Sequence, residues 1–258
     1  MAAPPGSLYL VPNTLDFGVE GDLPNLDETL APGVIRIAAR LEYWVVENAK
    51  TARSFLKRVD AIVPLARALQ ELSIIELPRP PKGRQAAPAQ DLSALLAPAT
   101  LGHDVGLLSE AGLAAVADPG AALVQAAHAQ RLNVVSLPGP SSLLLALAAS
   151  GLNGQGFAFV GYLPIETIAR AQRIRELEQH SRRDGHTQLM IETPYRNQAL
   201  LDGLIAALHP TTRLCVSCGL TLAPGFTRTH SVAEWRAAKT TLPGNIPAVF
   251  LLLAGANP

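Results

Sequence analysis

The sequence predicts an α/β protein made of two domains, and three observations support this prediction. Between Val105 and Ser150, a short apolar run, a loop of small residues and a helical segment follow one another twice, which is typical of a parallel sheet with connecting helices. A glycine-rich break, residues 151–156, separates two halves that both alternate between strand-like and helix-like segments. The apolar run Ile246–Leu253 is typical of a central strand. We therefore expect one α/β domain over residues 1–151 and a second over residues 152–258.

The elements of the first half follow from apolar runs that end at proline, glycine or asparagine. Asp118-Pro119 predicts the start of a helix, with Asp118 as the N-cap and Pro119 as the first helical residue. The expected strands are Leu8–Val11, Tyr43–Val46, Ser73–Leu77, Val105–Leu108 and a run beginning at Val134, and the expected helices are Leu30–Arg40, Gln90–Leu96, a helix after Pro119 and Leu143–Ala149.

The second half has the same kinds of signal. Ser231-Val232-Ala233-Glu234 is a capping box that predicts the start of a short helix. The expected strands are Phe157–Val160, Thr187–Ile191, Leu214–Ser217, Phe226–His230 and Ile246–Leu253, and the longer expected helices are Glu166–Arg183 and Gln198–Leu208.

Two loops of Gly, Ala, Ser and Pro are the candidate ligand-binding elements. Residues 109–120 and 138–142 follow the carboxyl ends of two strands that we expect to be parallel. Ligands of open α/β sheets bind beyond those ends, and small residues let backbone N–H groups approach a ligand closely. Ordinary tight turns would explain either loop alone.

These loops resemble the tetrapyrrole methylase family. Residues 109–120, SEAGLAAVADPG, are similar to S-D-A-G-T-P-x-x-x-D-P-G in the branch that contains the bacterial 16S rRNA cytidine 2′-O-methyltransferase, and LPGPSS is similar to its following L-P-G. Glu110 stands where that branch has aspartate, and Leu113-Ala114 stand where it has Thr-Pro. Three further segments resemble motifs of that branch: Glu47 and Arg53 match its A-E-D-T-R, Gly161-Tyr162-Leu163-Pro164 matches its G-F-L-P, and Glu192–Arg196 matches its Y-E-S-P-H-R. One segment departs from it, because Cys218-Gly219 stand where the branch has the charged pair of A-R-E-L-T.

The resemblance implies an S-adenosylmethionine-dependent methyltransferase with a cofactor cleft between its two domains, and it implies a homodimer. It makes Glu110 the leading polar contact to the cofactor. We expect Gly112 to be partly exposed, as loop glycines usually are. The cofactor residues that the resemblance implies are Leu15, Glu110, Ala111, Gly112, Leu113, Ser141, Ser142, Pro247 and Ala248.

The general base is not identified by any motif. Methyl transfer to an alcohol requires a group that accepts the hydroxyl proton. Glu47 and Glu192 lie at predicted strand ends and are candidates. A strand end beside a helix start explains Glu47 equally well.

Composition limits the other possibilities. The 258 residues carry 21 Lys plus Arg and 21 Asp plus Glu, so a chain-wide basic surface for nucleic acid is disfavoured. The amino terminus lacks the features of a signal peptide, and prolines and glycines interrupt the uncharged run of residues 132–165, so we expect a cytoplasmic protein without a membrane span.

The histidines show no metal-ligand spacing, and we expect no metal. Cys215 and Cys218 form a C-x-x-C, which we interpret as buried packing residues of a strand instead of a redox pair.

Three functions remain open at this point. The first is a methyltransferase that acts on rRNA. The second is a methyltransferase that acts on a tetrapyrrole or another small molecule, and the third is a non-catalytic protein that binds S-adenosylmethionine. The similarity as a whole favours the first. Zero net charge weakens it, and the replacements favour the other two; they lie at Asn48, Glu110, Leu113-Ala114 and Cys218-Gly219.

Overall fold

The computed structural model describes residues 4–16, 24–78, 91–223 and 225–255. The chain divides into two compact units, Met1–Pro140 and Ser141–Pro258, which we call the first and second unit. The division falls after Pro140 and not after Gly151, because the helix Ser142–Ser150 packs on strands of the second unit. Leu143, Ala146 and Leu147 of this helix belong to an apolar cluster of that unit.

Five described strands form the sheet of the first unit, in the order β3-β2-β4-β1-β5. All four strand pairs are parallel, and Leu8 to Val11 lie opposite Val105 to Leu108. The expected parallel strands before the two small-residue loops are thus confirmed. The strands are β1 (Ser7–Val11), β2 (Tyr43–Val46), β3 (Ser73–Glu76), β4 (Val105–Leu108) and β5 (Asn133–Ser136).

Helices cover both faces of this sheet. Side chains of β2 alternate, since Trp44 and Val46 join one apolar cluster and Val45 joins the cluster on the other face. The helices are α1 (Leu26–Thr29), α2 (Pro32–Arg40), α3 (Ala49–Asp60), α4 (Ala97–Thr100) and α5 (Ala121–Ala129), and a 3₁₀ turn spans Ser93–Leu96.

The start of α5 differs from the expectation. The helix begins at Ala121 with Gly120 as N-cap, and Asp118 bonds to the preceding loop instead of capping the helix. The sequence also predicts a loop over residues 16–26, which are acidic and contain glycine, and a connector over residues 78–84, which carry three cations and three prolines. Residues 17–23 and 79–90 lie outside the described residues.

Five described strands form the sheet of the second unit, in the order β6-β7-β10-β8-β9. Only the pair of β6 and β7 is parallel. The prediction that the last strand is central is confirmed, because β10 lies between β7 and β8. The strands are β6 (Phe157–Phe159), β7 (Thr187–Glu192), β8 (Arg213–Cys218), β9 (Phe226–Ser231) and β10 (Ala248–Leu253).

The two cysteines confirm the strand interpretation of the C-x-x-C. Cys215 and Cys218 are buried free thiols in clusters on opposite faces of the sheet, and burial raises the pKa of each thiol. The expected capping box of Ser231 and Glu234 is present at the last helix. The helices of this unit are α6 (Ser142–Ser150), α7 (Thr167–Asp184), α8 (Asn197–Ala207) and α9 (Val232–Ala238), with a 3₁₀ turn over Pro194–Arg196.

Across the described ranges, none of the helices combines the length and the apolar character that crossing a membrane requires.

A pair of glycine substitutions tests the packing of the first sheet. A Cβ at Gly106 of β4 would lie 2.7 Å from the Trp44 indole, so Gly106→Ala forces a fully buried ring to move. We expect the free energy of unfolding to fall by about 1–3 kcal/mol, as for other overpacked cores. In Gly33→Ala the nearest atom lies 3.9 Å away within α2, and we expect a gain of about 0.5–1 kcal/mol. Urea unfolding measures both, and equal effects would contradict the close packing at Gly106.

Candidate functional site

The candidate site of the first unit lies at one edge of its sheet. The strands are parallel, so the segments that follow β1, β2, β4 and β5 all leave the sheet at the same edge. These segments carry Leu15, Glu47, residues 109–120 and residues 137–140, respectively. The structure therefore brings together the candidate residues of this half of the chain.

Asn13 joins the loop after β1 to the loop after β4. Its backbone N–H donates to the Gly112 carbonyl at 2.9 Å, and the Gly112 N–H donates to the Thr14 carbonyl at 3.3 Å. The Asn13 amide donates to the carbonyls of Ser109 at 3.2 Å and Glu110 at 3.1 Å, and its Oδ1 accepts the Thr14 N–H at 2.8 Å. With 3% of its surface exposed, this side chain is a buried link between segments 96 residues apart.

Sequence reasoning missed Asn13 because the resemblance in this loop extended only to the proline before it. A buried amide can satisfy backbone groups of two loops at once, and the asparagine two residues after the end of β1 carries no local signal of its distant partners.

Two glutamates connect the loop after β4 to the end of β2 and to α3. Glu47 Oε2 accepts the backbone N–H of Glu110 at 3.0 Å. The Glu110 carboxylate in turn accepts the hydroxyl of Thr51 at 3.3 Å. Asn48 caps α3 through the N–H groups of Lys50 and Thr51, which fixes the helix that carries this threonine. Both carboxylates are therefore positioned beside the candidate cofactor loop.

Asp118 forms hydrogen bonds with the backbone in the second half of that loop. Its carboxylate accepts the N–H groups of Ala115 at 2.9 Å and Gly120 at 2.6 Å. Burial raises the pKa of Asp118 above its usual value, and the hydrogen bonds from the backbone partly oppose this effect. Ala115 and Ala117 have φ values of 67° and 62°, a left-handed conformation that is costly for residues with a Cβ. The carboxylate bonds hold the loop in this strained shape.

Gly112 is buried, which corrects the expectation that it is partly exposed. Its φ is 68°, and a Cβ there would lie 3.2 Å from the Leu15 side chain and 3.3 Å from the Pro140 carbonyl. A large side chain at Gly112 would strain the backbone as well as fill space, so a bulky substitution there cannot separate folding from binding. Ala111 and Leu113 on either side are half-buried.

A buried ion pair braces the loop after β1. Arg58 of α3 donates to Asp16 at 2.7 Å and to the carbonyl of Pro24 at 2.9 Å. The Thr14 hydroxyl donates to the same Asp16 oxygen at 2.7 Å. The sequence contained no local signal for this contact, because Arg58 lies 42 residues from Asp16.

The second unit has its own candidate edge, at the start of β10. Ala248 lies opposite Glu192 of β7 and Cys218 of β8. The Pro247 carbonyl accepts the Gly219 N–H at 3.0 Å, and the Asn197 amide donates to the Ile246 carbonyl at 2.9 Å. The structure therefore brings Pro247, Ala248 and Glu192 together. Glu47 and Glu192 belong to different units.

Ser141 and Ser142 begin α6 in the second unit. Ser141 is the N-cap and is buried, but its side chain makes no capping hydrogen bond within the described chain. An N-cap serine usually bonds the N–H of the second or third helical residue. Its hydroxyl is therefore not committed to the helix.

Glu192 is bound to an arginine. Its Oε1 accepts Arg196 Nη2 at 2.6 Å, the Thr193 N–H at 2.7 Å and the Thr193 hydroxyl at 3.2 Å. All three hydrogen bonds therefore engage the same carboxylate oxygen.

No group of three or more His, Cys, Asp or Glu side chains that could hold a metal ion occurs among the residues that the structure describes. The expectation of a metal-free site stays a prediction.

A family model described as Tetrapyrrole (Corrin/Porphyrin) Methylases matches residues 49–223. The matched range contains the loop with Glu110 and Gly112, both N-terminal serines of α6 and the turn after β7.

The chain is also similar to curated proteins named ribosomal RNA small subunit methyltransferase I. The protein of that name from Mesorhizobium japonicum is 34% identical over 148 residues, which are 56% of this chain and 49% of that protein. The one from Synechocystis sp. is 33% identical over 170 residues, 64% of this chain and 57% of that protein. The chain spans about half the length of the curated relatives it matches.

A solved structure shares the fold. The crystal structure of uroporphyrin-III-C-methyltransferase from Thermus thermophilus matches with a TM-score of 0.53 and 18% identity, over 96% of this chain and 94% of that chain.

Removal of the Asn13 amide tests the link between the two loops. Asn13→Ala leaves two buried carbonyls and one N–H without their partner, and we expect the free energy of unfolding to fall by about 1–3 kcal/mol. Asn25→Ala is the matched control, because its amide makes one exposed bond to Glu28, and we expect a change below about 0.5 kcal/mol. Denaturant unfolding compares the two, and a loss at Asn13 no larger than at Asn25 would show that the amide does not hold the loops.

Proposed function

The chain belongs to the tetrapyrrole (corrin/porphyrin) methylases, and we propose that it is a methyltransferase that uses S-adenosylmethionine to methylate a ribose hydroxyl of ribosomal RNA. The observation that carries this proposal is the edge of the first sheet, where Asn13 binds two loops together and Glu47 accepts the Glu110 N–H of one of them. The similarity to curated rRNA methyltransferases supports the choice of acceptor.

The residues present fit this cofactor. S-Adenosylmethionine supplies an already activated methyl group, so the protein mainly has to position the cofactor and the acceptor. Gly112 is buried against the Leu15 side chain and the Pro140 carbonyl, and the half-buried Ala111 and Leu113 on either side of it leave part of the loop open to a ligand. The Glu110 carboxylate suits a ribose diol or an ammonium group, and the Ser141 hydroxyl is not used for helix capping. We assign cofactor contacts to Leu15, Glu110, Ala111, Gly112 and Leu113 of the first unit and to Ser141, Ser142, Pro247 and Ala248 of the second.

Within this proposal Glu47 is the general base. Its carboxylate reaches the Glu110 backbone at the loop assigned to the cofactor. Glu192 is the weaker candidate, because its side chain is 3% exposed and its Oε1 already accepts three hydrogen bonds from Arg196 and Thr193. A carboxylate that accepts the hydroxyl proton of the ribose contributes roughly 10²- to 10⁴-fold to such a reaction.

Two observations favour a second function, methylation of a small molecule. The chain has zero net charge, and Cys218-Gly219 supply no charged side chain at the end of β8. A tetrapyrrole acceptor would need no chain-wide basic surface. The replacements at Glu110 and Leu113 would also suit a protein that binds S-adenosylmethionine without catalysis.

Methyl transfer from radiolabelled S-adenosylmethionine tests these functions. We expect label in small-subunit rRNA from cells that lack the modification. Label only in a tetrapyrrole fraction would support the second function, and cofactor binding by calorimetry without any transfer would support the non-catalytic one.

Glu47→Gln should lower the transfer rate at least roughly 10²-fold while the cofactor Kd changes less than about twofold. Glu28→Gln, an exposed glutamate of α1, is the control and should transfer at the wild-type rate.

We further propose a homodimer that acts in the cytoplasm, where its rRNA acceptor would be met. The second unit exposes apolar side chains on β6 and at the start of α7, namely Phe157, Phe159, Ile165 and Ile168. A patch of this kind is suited to a self-complementary interface.

Light scattering tests the dimer. We expect a mass twice the 27.2 kDa of one chain at micromolar concentration. Ile168→Arg places a charge on a side chain that is not part of the core, so the variant should fold and have the mass of a monomer. A monomeric wild type would contradict the proposal, and a dimeric Ile168→Arg would place the interface elsewhere.

A further inference from the structure

The turn after β7 presents an exposed aromatic ring next to a guanidinium. Tyr195 lies in the 3₁₀ turn Pro194–Arg196 and is 76% exposed, although large apolar rings are usually covered. The Cζ atom of Arg196 lies 5.9 Å from the centre of the ring. All residues from 193 to 197 are described, and Tyr195 is the exposed one among them.

A buried carboxylate holds this pair in place. The Glu192 side chain is 3% exposed and binds Arg196 at 2.6 Å. The Thr193 N–H and hydroxyl donate to the same carboxylate, and Pro194 restricts the backbone at the start of the turn. Burying a charge is unfavourable unless it is paired, so the ion pair fixes the guanidinium rather than leaving it mobile. The guanidinium and the backbone that carries the ring are thus fixed before any ligand binds, which lowers the entropy lost on binding.

The turn lies beside the segment of the second unit to which we assign cofactor contacts. Glu192, where β7 ends, is paired with Ala248 at the start of β10. Asn197 follows Arg196 directly and donates to the Ile246 carbonyl, just before Pro247. A molecule resting on Tyr195 would therefore lie next to the start of β10.

We propose that Tyr195 and Arg196 form a stacking platform for an unpaired base of the acceptor RNA, and that Glu192 is the residue that positions it. This inference rests on the proposed rRNA methyltransferase function. Unstacked RNA bases bind on aromatic rings and on guanidinium planes, and the positive charge of Arg196 suits the adjoining phosphate. A protein partner would require a contiguous apolar patch, whereas in this turn a single ring stands among covered residues.

Binding of protein-free small-subunit rRNA to the full chain tests the platform. Tyr195→Leu keeps an apolar side chain but removes the ring, and we expect the RNA Kd to rise roughly 5- to 100-fold. Tyr195→Trp and Tyr195→Phe keep a ring and should stay within about threefold of wild type. Leu101→Ala, a similarly exposed apolar residue of the first unit, is the matched control and should bind RNA as wild type does. Thermal unfolding and the calorimetric Kd for S-adenosylhomocysteine should be unchanged in all four variants, because none of these side chains is buried.

A second substitution separates the role of Glu192 from that of a catalytic base. Glu192→Gln weakens its hold on Arg196, so the RNA Kd should rise while the pH profile of methyl transfer keeps its wild-type shape. A changed pH profile with an unchanged RNA Kd would assign Glu192 to proton transfer and overturn its positioning role.

The outcomes for the platform and for the proposed function are distinguishable. If wild type methylates rRNA and Tyr195→Leu binds it equally well, the platform is overturned and the function stands. If wild type neither binds nor methylates rRNA, both are overturned. If Tyr195→Leu changes the mass of the particle in solution and not the RNA Kd, the ring belongs to a protein interface and the inference is wrong.

Discussion

The first unit depends on the buried amide of Asn13. Strands β1 and β4 are neighbours in the sheet although they lie far apart in the chain, so the loops that follow them meet at one edge. Those loops bring backbone N–H and carbonyl groups into a buried place, where each needs a partner. Asn13 satisfies Ser109, Glu110 and Thr14 together, and Gly112 completes the contact by adopting a left-handed conformation. The position of the Glu110 backbone, whose N–H Glu47 accepts, follows from this arrangement.

The acidic groups near the two edges are placed by different forces, and this difference separates their roles. Asp118 is held by backbone N–H groups, with burial raising the pKa of its carboxyl. It therefore shapes the loop. Glu192 is neutralised by Arg196, so its charge serves to anchor a side chain. Glu47 accepts the Glu110 N–H in the loop assigned to the cofactor, and this contact is the reason why we propose it as the base.

Much of the fold was predictable because its signals are local. The apolar run of β10 indicated a central strand, and the three-residue spacing of Cys215 and Cys218 indicated opposite faces of a strand. The candidate site was harder to predict from the sequence, because its contacts join segments that lie far apart in the chain. No local pattern shows that Asn13 reaches Glu110 or that Gly112 is enclosed by Leu15 and Pro140. The unit boundary was also misplaced, because the glycine break after α6 is conspicuous in sequence while the packing of α6 on the second sheet is not.

Zero net charge and an RNA acceptor are compatible if affinity comes from local contacts. Counterion release scales with the number of phosphates that a protein neutralises, and a chain with 21 cationic and 21 anionic residues gains little from its overall charge. Stacking on a fixed ring is less sensitive to net charge and tolerates any base. The turn after β7 has tyrosine where the resembling branch has histidine, and the end of β8 has Cys218-Gly219 where that branch has a charged pair. Glu192, which binds Arg196 of this turn, and Cys218 lie opposite Ala248 on its two sides, so both replacements belong to the same edge of the second sheet, where we propose the stacking platform.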